Sequence, residues 1–435
     1  MLKIGSGAGF SGDRLEPAEV LLKQTDLDYL VLECLAERTI ALAQKEKYHH
    51  ADKGYDPLLE TRIRSILPLL HGKKTRVVTN MGAANPVAGA DKIIELANEL
   101  NIPCKVAAVT GDDVFTYIET NGLSQEEGEQ KIETDSIISA NAYLGAEALL
   151  PALKTGADII ITGRVADPSL FLAPQIHHFQ WSLKDFEKLG KGTLVGHLLE
   201  CGGQVSGGYF ADPGKKEVAQ LENLGFPYAE IEEEEVVIKK VEGTGGAINL
   251  QTVKEQLLYE VHDPSSYFTP DVIADFSNVT VKEIGENQVA VYGGNGQQRP
   301  EMLKVSIGYH AGFVGEGEIS YAGTNAKERA ELAGSILYER LSGIISHLRL
   351  DYIGVSSLHR TSFWESTPYE VRVRAAGQCE LKNTAEIIGR EVEALYTNGP
   401  AGGGGARKRM TESIGVVSSY IPRDHVKPTI VIRST

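Results

Sequence analysis

The feature that most limits what this chain can become is a rhythm. Short apolar runs at 2–4, 29–32, 76–78, 106–109 and 158–161 are separated by stretches with helical apolar spacing, as at Ile93, Ile94, Leu96, Ala97 and Leu100. A parallel connection must carry the chain back to its starting edge, so strands separated by helices predict βαβ units. The expected fold class is therefore α/β, a mostly parallel sheet flanked by helices. Three of the runs leave through similar residues: Thr79-Asn80-Met81-Gly82, Thr110-Gly111-Asp112-Asp113 and Thr162-Gly163-Arg164. A fourth leaves through Glu33-Cys34. Sheets and barrels of this kind bind ligands beyond the carboxyl ends of their strands. Glu33, Asn80, Asp112, Asp113, Arg164 and Asp167 are thus expected around one shared site.

The texture changes after about residue 190, where glycine-rich and acidic stretches appear, including a run at 232–235 read as a solvated turn. Further on, strand-like runs at 304–309, 317–321, 352–355 and 369–374 mix with helical patterns at 326–341 and 384–396. That mixture predicts an α+β layer of ferredoxin-like type. The expected division is an α/β domain over residues 1–290 and a smaller α+β domain over 291–435.

A net charge of −16, with no basic stripe, argues against nucleic acid as a partner. It also argues against anionic membrane surfaces. Cys34, Cys104, Cys201 and Cys379 are far apart and form no CxxC, which fits a reducing compartment. No apolar stretch approaches the roughly 20 residues that span a bilayer. A cytoplasmic protein is expected.

Several groups carry chemistry. The loop Gly5-Ser6-Gly7-Ala8-Gly9-Phe10-Ser11-Gly12-Asp13 follows a strand and precedes a helix, so Gly7, Gly9, Ser11 and Asp13 are candidates to receive an anionic group. Its GxGxxG spacing leaves a dinucleotide open as a second reading. Glu33 and Glu37 are one helical turn apart and form a candidate acid–base pair, or Glu37 pairs with Arg38 or Arg14. Asp112 and Asp113 are candidate ligands for Mg²⁺ or Mn²⁺, although aspartate there can equally cap a helix. Arg164, followed by Asp167 at a helix start, is placed to grip a carboxylate through two N–H groups. Arg38 and Gly82 join the binding candidates, and Gly245-Gly246 suggests a second anion cradle ahead of a helix. His197 and Cys201 are four residues apart on one helix face, either a thiol nucleophile with its base or a buried structural cysteine.

The motifs GAGFSGDR, TNMGAANP, VTGDD, ITGRVADPSLFLAP, GTLVGHLLECGGQVSGGYFADP, EGTGG, VKEQLLYEVHDP and GPAGGGGARK run through nearly the whole chain. In these the sequence closely resembles the AtuA, or acyclic terpene utilisation, family. The resemblance implies a place in bacterial degradation of acyclic terpenes or related branched acids, and carries over no catalytic residues. Longer relatives carry an additional C-terminal domain, so the resemblance also implies a separate small AtuA-like partner subunit. A homo-oligomer is expected as well. The reading that joins these expectations is an enzyme, of lyase or hydratase type, acting on a small carboxylate or its CoA thioester. Glu33 or Asp112 would be the base, Asn80 would orient a carbonyl, and Arg164 would hold the anionic group. The alternative is a non-catalytic ligand-binding or scaffold subunit of a catabolic complex.

Overall fold

The computed structural model describes residues 1–123, 132–233, 235–359 and 368–435. Glu234, within the acidic run read as a solvated turn, lies outside the described residues. The chain divides into two compact units, one formed by residues 1–308 with 416–435 and the other by 309–415. The division falls beyond residue 290, and the last residues return to the first unit instead of closing the second.

Five parallel strands form the centre of a ten-stranded sheet in the first unit. In chain order they are β1 (Leu2–Ala8), β2 (Tyr29–Leu32), β3 (Arg76–Thr79), β4 (Lys105–Thr110) and, after the separate strand β5 (Ile137–Ala142), β6 (Ile159–Thr162). Their spatial order is β1-β2-β3-β6-β4. Every residue of β2 and β6 is buried, as expected for strands covered on both faces. Alternation then sends neighbouring side chains to two cores. Tyr29 and Val31 join the side formed by helices Asp167–Phe179 and Phe186–Leu199. Leu30 and Leu32 join the side formed by Glu16–Gln24, Leu59–Leu70 and Pro86–Glu99.

The sheet as a whole is mixed, not mostly parallel. Beyond β1 lie four antiparallel strands, Pro227–Ile231, Val236–Lys240, Gln288–Tyr292 and Thr280–Gly285, and beyond β4 lies antiparallel Thr429–Ser434. These strands fall where the sequence is glycine-rich, acidic or far along the chain, and hairpin strands covered on one face show no long apolar run to reveal them. The first strand also continues to Ala8, taking in Gly5 and Gly7 from the expected loop. A Cβ on Gly5 would lie 2.6 Å from Leu27, and one on Gly7 would lie 2.7 Å from Leu32. Both glycines give way to packed leucines.

The second unit runs strand, helix, two strands, helix, strand. Its helices are Ala326–Leu341 and Lys382–Asn398, and its four-stranded path orders Arg349–Ile353, Glu370–Cys379, Met302–Ala322 and Gly404–Pro422. The runs expected at 304–309 and 317–321 are one continuous strand. Its core of Ile319, Tyr321, Leu337, Val373, Ile388 and Val392 is separate from those in the first unit. No helix among the described residues is long and apolar enough to cross a membrane.

Candidate functional site

The carboxyl ends of β2, β3, β4 and β6 bring five of the expected residues together. Asn80, fully buried after β3, donates from Nδ2 to Glu33 Oε1 at 2.8 Å and accepts the Cys34 N–H at 2.7 Å. Glu33 also accepts the Leu35 N–H at 2.9 Å. Burial holds the Glu33 carboxyl well above the usual range, the nearby Asp167 adds to the shift, and Arg164 opposes it. Asparagine here serves as a splint joining two strand exits.

Asp112 follows β4 and is 4 % exposed. Its Oδ2 accepts the Arg164 N–H at 2.9 Å and Asn141 Nδ2 at 2.9 Å, and burial pushes its pKa up to about 6. A Cβ on Gly163 would lie 2.6 Å from both Asp112 oxygens. The same reasoning explains the neighbouring exits. A Cβ on Gly82 would lie 2.5 Å from the Thr162 carbonyl, and one on Gly111, at φ +102°, would lie 2.3 Å from the Lys427 carbonyl. The recurring Thr-Gly exits exist because strand ends crowd one another.

Arg164 is 1 % exposed. Its Nη1 donates to the Leu35 carbonyl at 2.6 Å, its Nε and Nη2 to the Val165 carbonyl at 3.1 and 2.6 Å, and Nη2 also to Asp167. Four of its five N–H donors are thus committed, leaving one where the sequence suggests a bidentate grip. The guanidinium lies 4.6 Å from the centre of the Tyr143 ring. Tyr143 donates its hydroxyl to Glu37, which also pairs with Lys304 at 3.5 Å, so Glu37 sits below its ordinary pKa despite partial burial. Neither Arg38 nor Arg14 is its partner.

Other expected members lie elsewhere or do different work. Arg38 is exposed on its helix. Asp113 turns to its own backbone, accepting the Phe115 N–H at the start of the following helix at 3.1 Å. Among the described residues no group of three or more His, Cys, Asp or Glu is arranged to hold a metal ion. The Gly245 and Gly246 N–H groups already donate to Asn223 and Ala219 at 2.7 and 2.8 Å, and Asn249 caps the helix that follows. They are closed turns with no donors free for an anion. In the opening loop, Gly9 N–H donates to Asp13 Oδ2 at 2.7 Å, while buried Arg62 holds the Ser11 and Asp13 carbonyls at 2.9 and 2.7 Å. Burial raises the Asp13 pKa above its ordinary value.

Gly9 and Asp13 line a cavity of about 550 Å³ with Phe10, Cys201, Tyr209, Phe226 and Tyr259. A Cβ on Gly9 would lie 2.3 Å from the Cys201 carbonyl carbon, so this glycine brings the first strand exit against the 201–202 backbone. Burial pushes the Cys201 thiol up, away from the thiolate that a nucleophile needs. Glu200, Glu260 and Tyr267 escape a strand-end reading because they come from a helix end, a turn and a short two-residue strand outside the central sheet. Glu200 lies beside Asp167 and Glu260, and burial, reinforced by both, holds it well above its ordinary pKa. Glu260 carries a left-handed backbone, φ +58°, uncommon for a residue with a Cβ. The only advance signal for Glu200 is its place three residues after His197 on one helix face.

The arrangement gathers carboxyls whose pKa values burial raises, Glu33 and Asp167 among them, around buried Arg164. A family model described as "Acyclic terpene utilisation family protein AtuA" matches residues 2–432. No curated protein and no solved structure matches the chain. With nearly its full length covered, the chain belongs to the AtuA, acyclic terpene utilisation, family.

Proposed function

We propose that this protein is an enzyme of acyclic terpene or branched-acid catabolism that adds or removes water next to a carboxylate. The observation that carries the reading is the convergence of Glu33 and Asp167, from different strand exits and both raised by burial, on buried Arg164. Two carboxyls whose surroundings differ can divide acid and base roles. Glu33, walled in and kept protonated, is the acid that protonates a departing hydroxyl. Asp167, held by Arg164 with 38 % of its side chain exposed, is the base that takes the proton from the neighbouring carbon. Asn80 and Asp112 position these groups through their hydrogen bonds, and the last Arg164 N–H meets the substrate's anionic end.

The cavity beside Gly9 suits an apolar chain, with Phe10, Leu221, Leu224 and Phe226 along its wall. Among the described residues Arg14 is the sole cation lining it, and it already donates to the Leu221 and Glu222 carbonyls at 3.0 and 2.8 Å. That favours a free carboxylate over a CoA thioester, whose phosphates need several cations. Asp167→Asn and Glu33→Gln are each expected to lower kcat by about 10²-fold or more with little change in KM. Mass spectrometry of unsaturated and hydroxylated branched acids reads this, and wild-type turnover in both variants would defeat the assignment.

The commitment of Arg164 to its own backbone favours a second reading, a ligand-binding subunit that performs no chemistry. Binding of the same acids with no product formed would establish it. The proposal also includes a homo-oligomer, a cytoplasmic location and a small AtuA-like partner subunit, which size-exclusion of the co-expressed pair tests by co-elution. The strand order of residues 309–415 supports reading that unit as ferredoxin-like.

A further inference from the structure

His197 and Glu200 form a hydrogen-bonded pair whose proton positions can be deduced. His197 is 1 % exposed and its ring packs against those of Tyr267 and Phe276, with centroids 5.2 and 5.7 Å away, while those two rings lie 5.3 Å from each other. Its Nε2 is 3.2 Å from the Leu257 carbonyl, and its Nδ1 is 2.9 Å from Glu200 Oε1. A carbonyl can only accept, so Nε2 carries the hydrogen. Burial beside this aromatic cluster pushes the imidazole down to about 4, so the ring is neutral and Nδ1 offers a lone pair. Glu200 Oε1 must then be the donor, which makes the carboxyl a neutral acid. Burial together with the facing carboxylates of Asp167 and Glu260 favours that form, and only Arg164 opposes it. The other oxygen, Oε2, is a carbonyl-type acceptor, buried and without a partner. A buried acceptor left unsatisfied is costly, and groups of this kind call for a role.

We propose that Glu200 is a specificity-determining residue: its neutral carboxyl, fixed by His197, accepts a hydrogen bond through Oε2 from a hydroxyl on the bound substrate. The inference rests on the strand-end cluster being the substrate site. Glu200 is next to Cys201, which lines the apolar cavity, and its charge neighbours are Asp167 and Arg164 of the cluster. Its sequence neighbour belongs to the cavity wall and its charged neighbours to the cluster, which in the proposed reading hold the chain and the polar end of a ligand. An ionised carboxylate here would add to the repulsion from Asp167 and Glu260, whereas a neutral one contributes an acceptor and no charge.

Two measurements on the full chain test this. In calorimetric titrations, wild type is expected to bind 3-hydroxyoctanoate roughly tenfold more tightly than octanoate, the scale of one buried neutral hydrogen bond. E200Q, whose amide can donate to His197 and still accept, keeps the preference, and E200L loses it. Equal affinity in wild type, or a preference that survives in E200L, overturns the assignment. Infrared difference spectra of ligand-free wild type against E200Q at neutral pH should show one carboxylic-acid carbonyl stretch. A carboxylate band in its place overturns the inference without reference to any ligand. Failure of both acids to bind instead overturns the reading of the site on which it rests.

Discussion

Asp112 shows what a buried carboxyl does to this protein without touching a ligand. Its folded pKa of about 6 lies above the roughly 3.9 of an exposed aspartate. Between those values the folded protein keeps a proton that the unfolded chain has released, so the native state binds more protons. Stability therefore falls as pH rises through that window, and the full penalty applies above it. Asp112→Asn keeps an acceptor for the Arg164 N–H and removes the titration. It is expected to match wild type near the bottom of the window and exceed it by roughly 1–3 kcal/mol above. Urea unfolding at a series of pH values reads this, and parallel curves for the two proteins would refute it. Glu33 and Glu200 are displaced in the same direction and add to the trend, while Glu37 opposes it. Residues at this scale were partly legible in advance. Glu33, Asn80, Asp112, Arg164 and Asp167 sit at strand exits, and a strand exit is visible as a polar residue ending an apolar run. Glu200 and Glu260 were not, because their proximity depends on a helix end and a loop meeting from distant positions.

Elements tell a similar story of what local pattern can and cannot reveal. The five central strands were readable because burial on both faces demands unbroken apolar runs, as in Tyr29–Leu32 and Ile159–Thr162. The antiparallel strands were hidden because only alternate residues need be apolar, as in Pro227–Ile231. The end of β1 was misplaced because glycine normally marks a loop, yet here Gly5 and Gly7 yield space to Leu27 and Leu32. Gly9 at the exit of β1 is the most constrained of this series, since an added Cβ meets main chain, which cannot swing away as a leucine can. Gly9→Ala is expected to destabilise the fold by about 2–3 kcal/mol, within the range for overpacking. Gly343→Ala, where nothing lies within 4 Å of the added Cβ, serves as the control and should stay within roughly 0.5 kcal/mol. Thermal melts of the two variants distinguish them, and equal melting temperatures would count against the close approach of Gly9 to Cys201.

For the whole molecule the governing fact is that the smaller unit interrupts the larger one. Tyr309 and Gly415, its first and last residues, are neighbours, since a Cβ on Gly415 would lie 2.2 Å from the Tyr309 ring. These two residues bracket the insertion, and after it Thr429–Ser434 returns to pair with β4. The Cys104 N–H to Thr435 hydroxyl bond, 3.1 Å long, spans 331 positions in sequence. Removing residues 429–435 leaves β4 with an unpaired apolar edge, a template for pairing with other chains. The truncated protein is expected to aggregate and to melt lower than the full chain, as light scattering and calorimetry would show. A soluble monomer with an unchanged melting temperature would mean that the edge needs no cover. During translation β4 emerges more than three hundred residues before the segment that seals it. The nascent chain thus carries an open sheet margin for most of its synthesis.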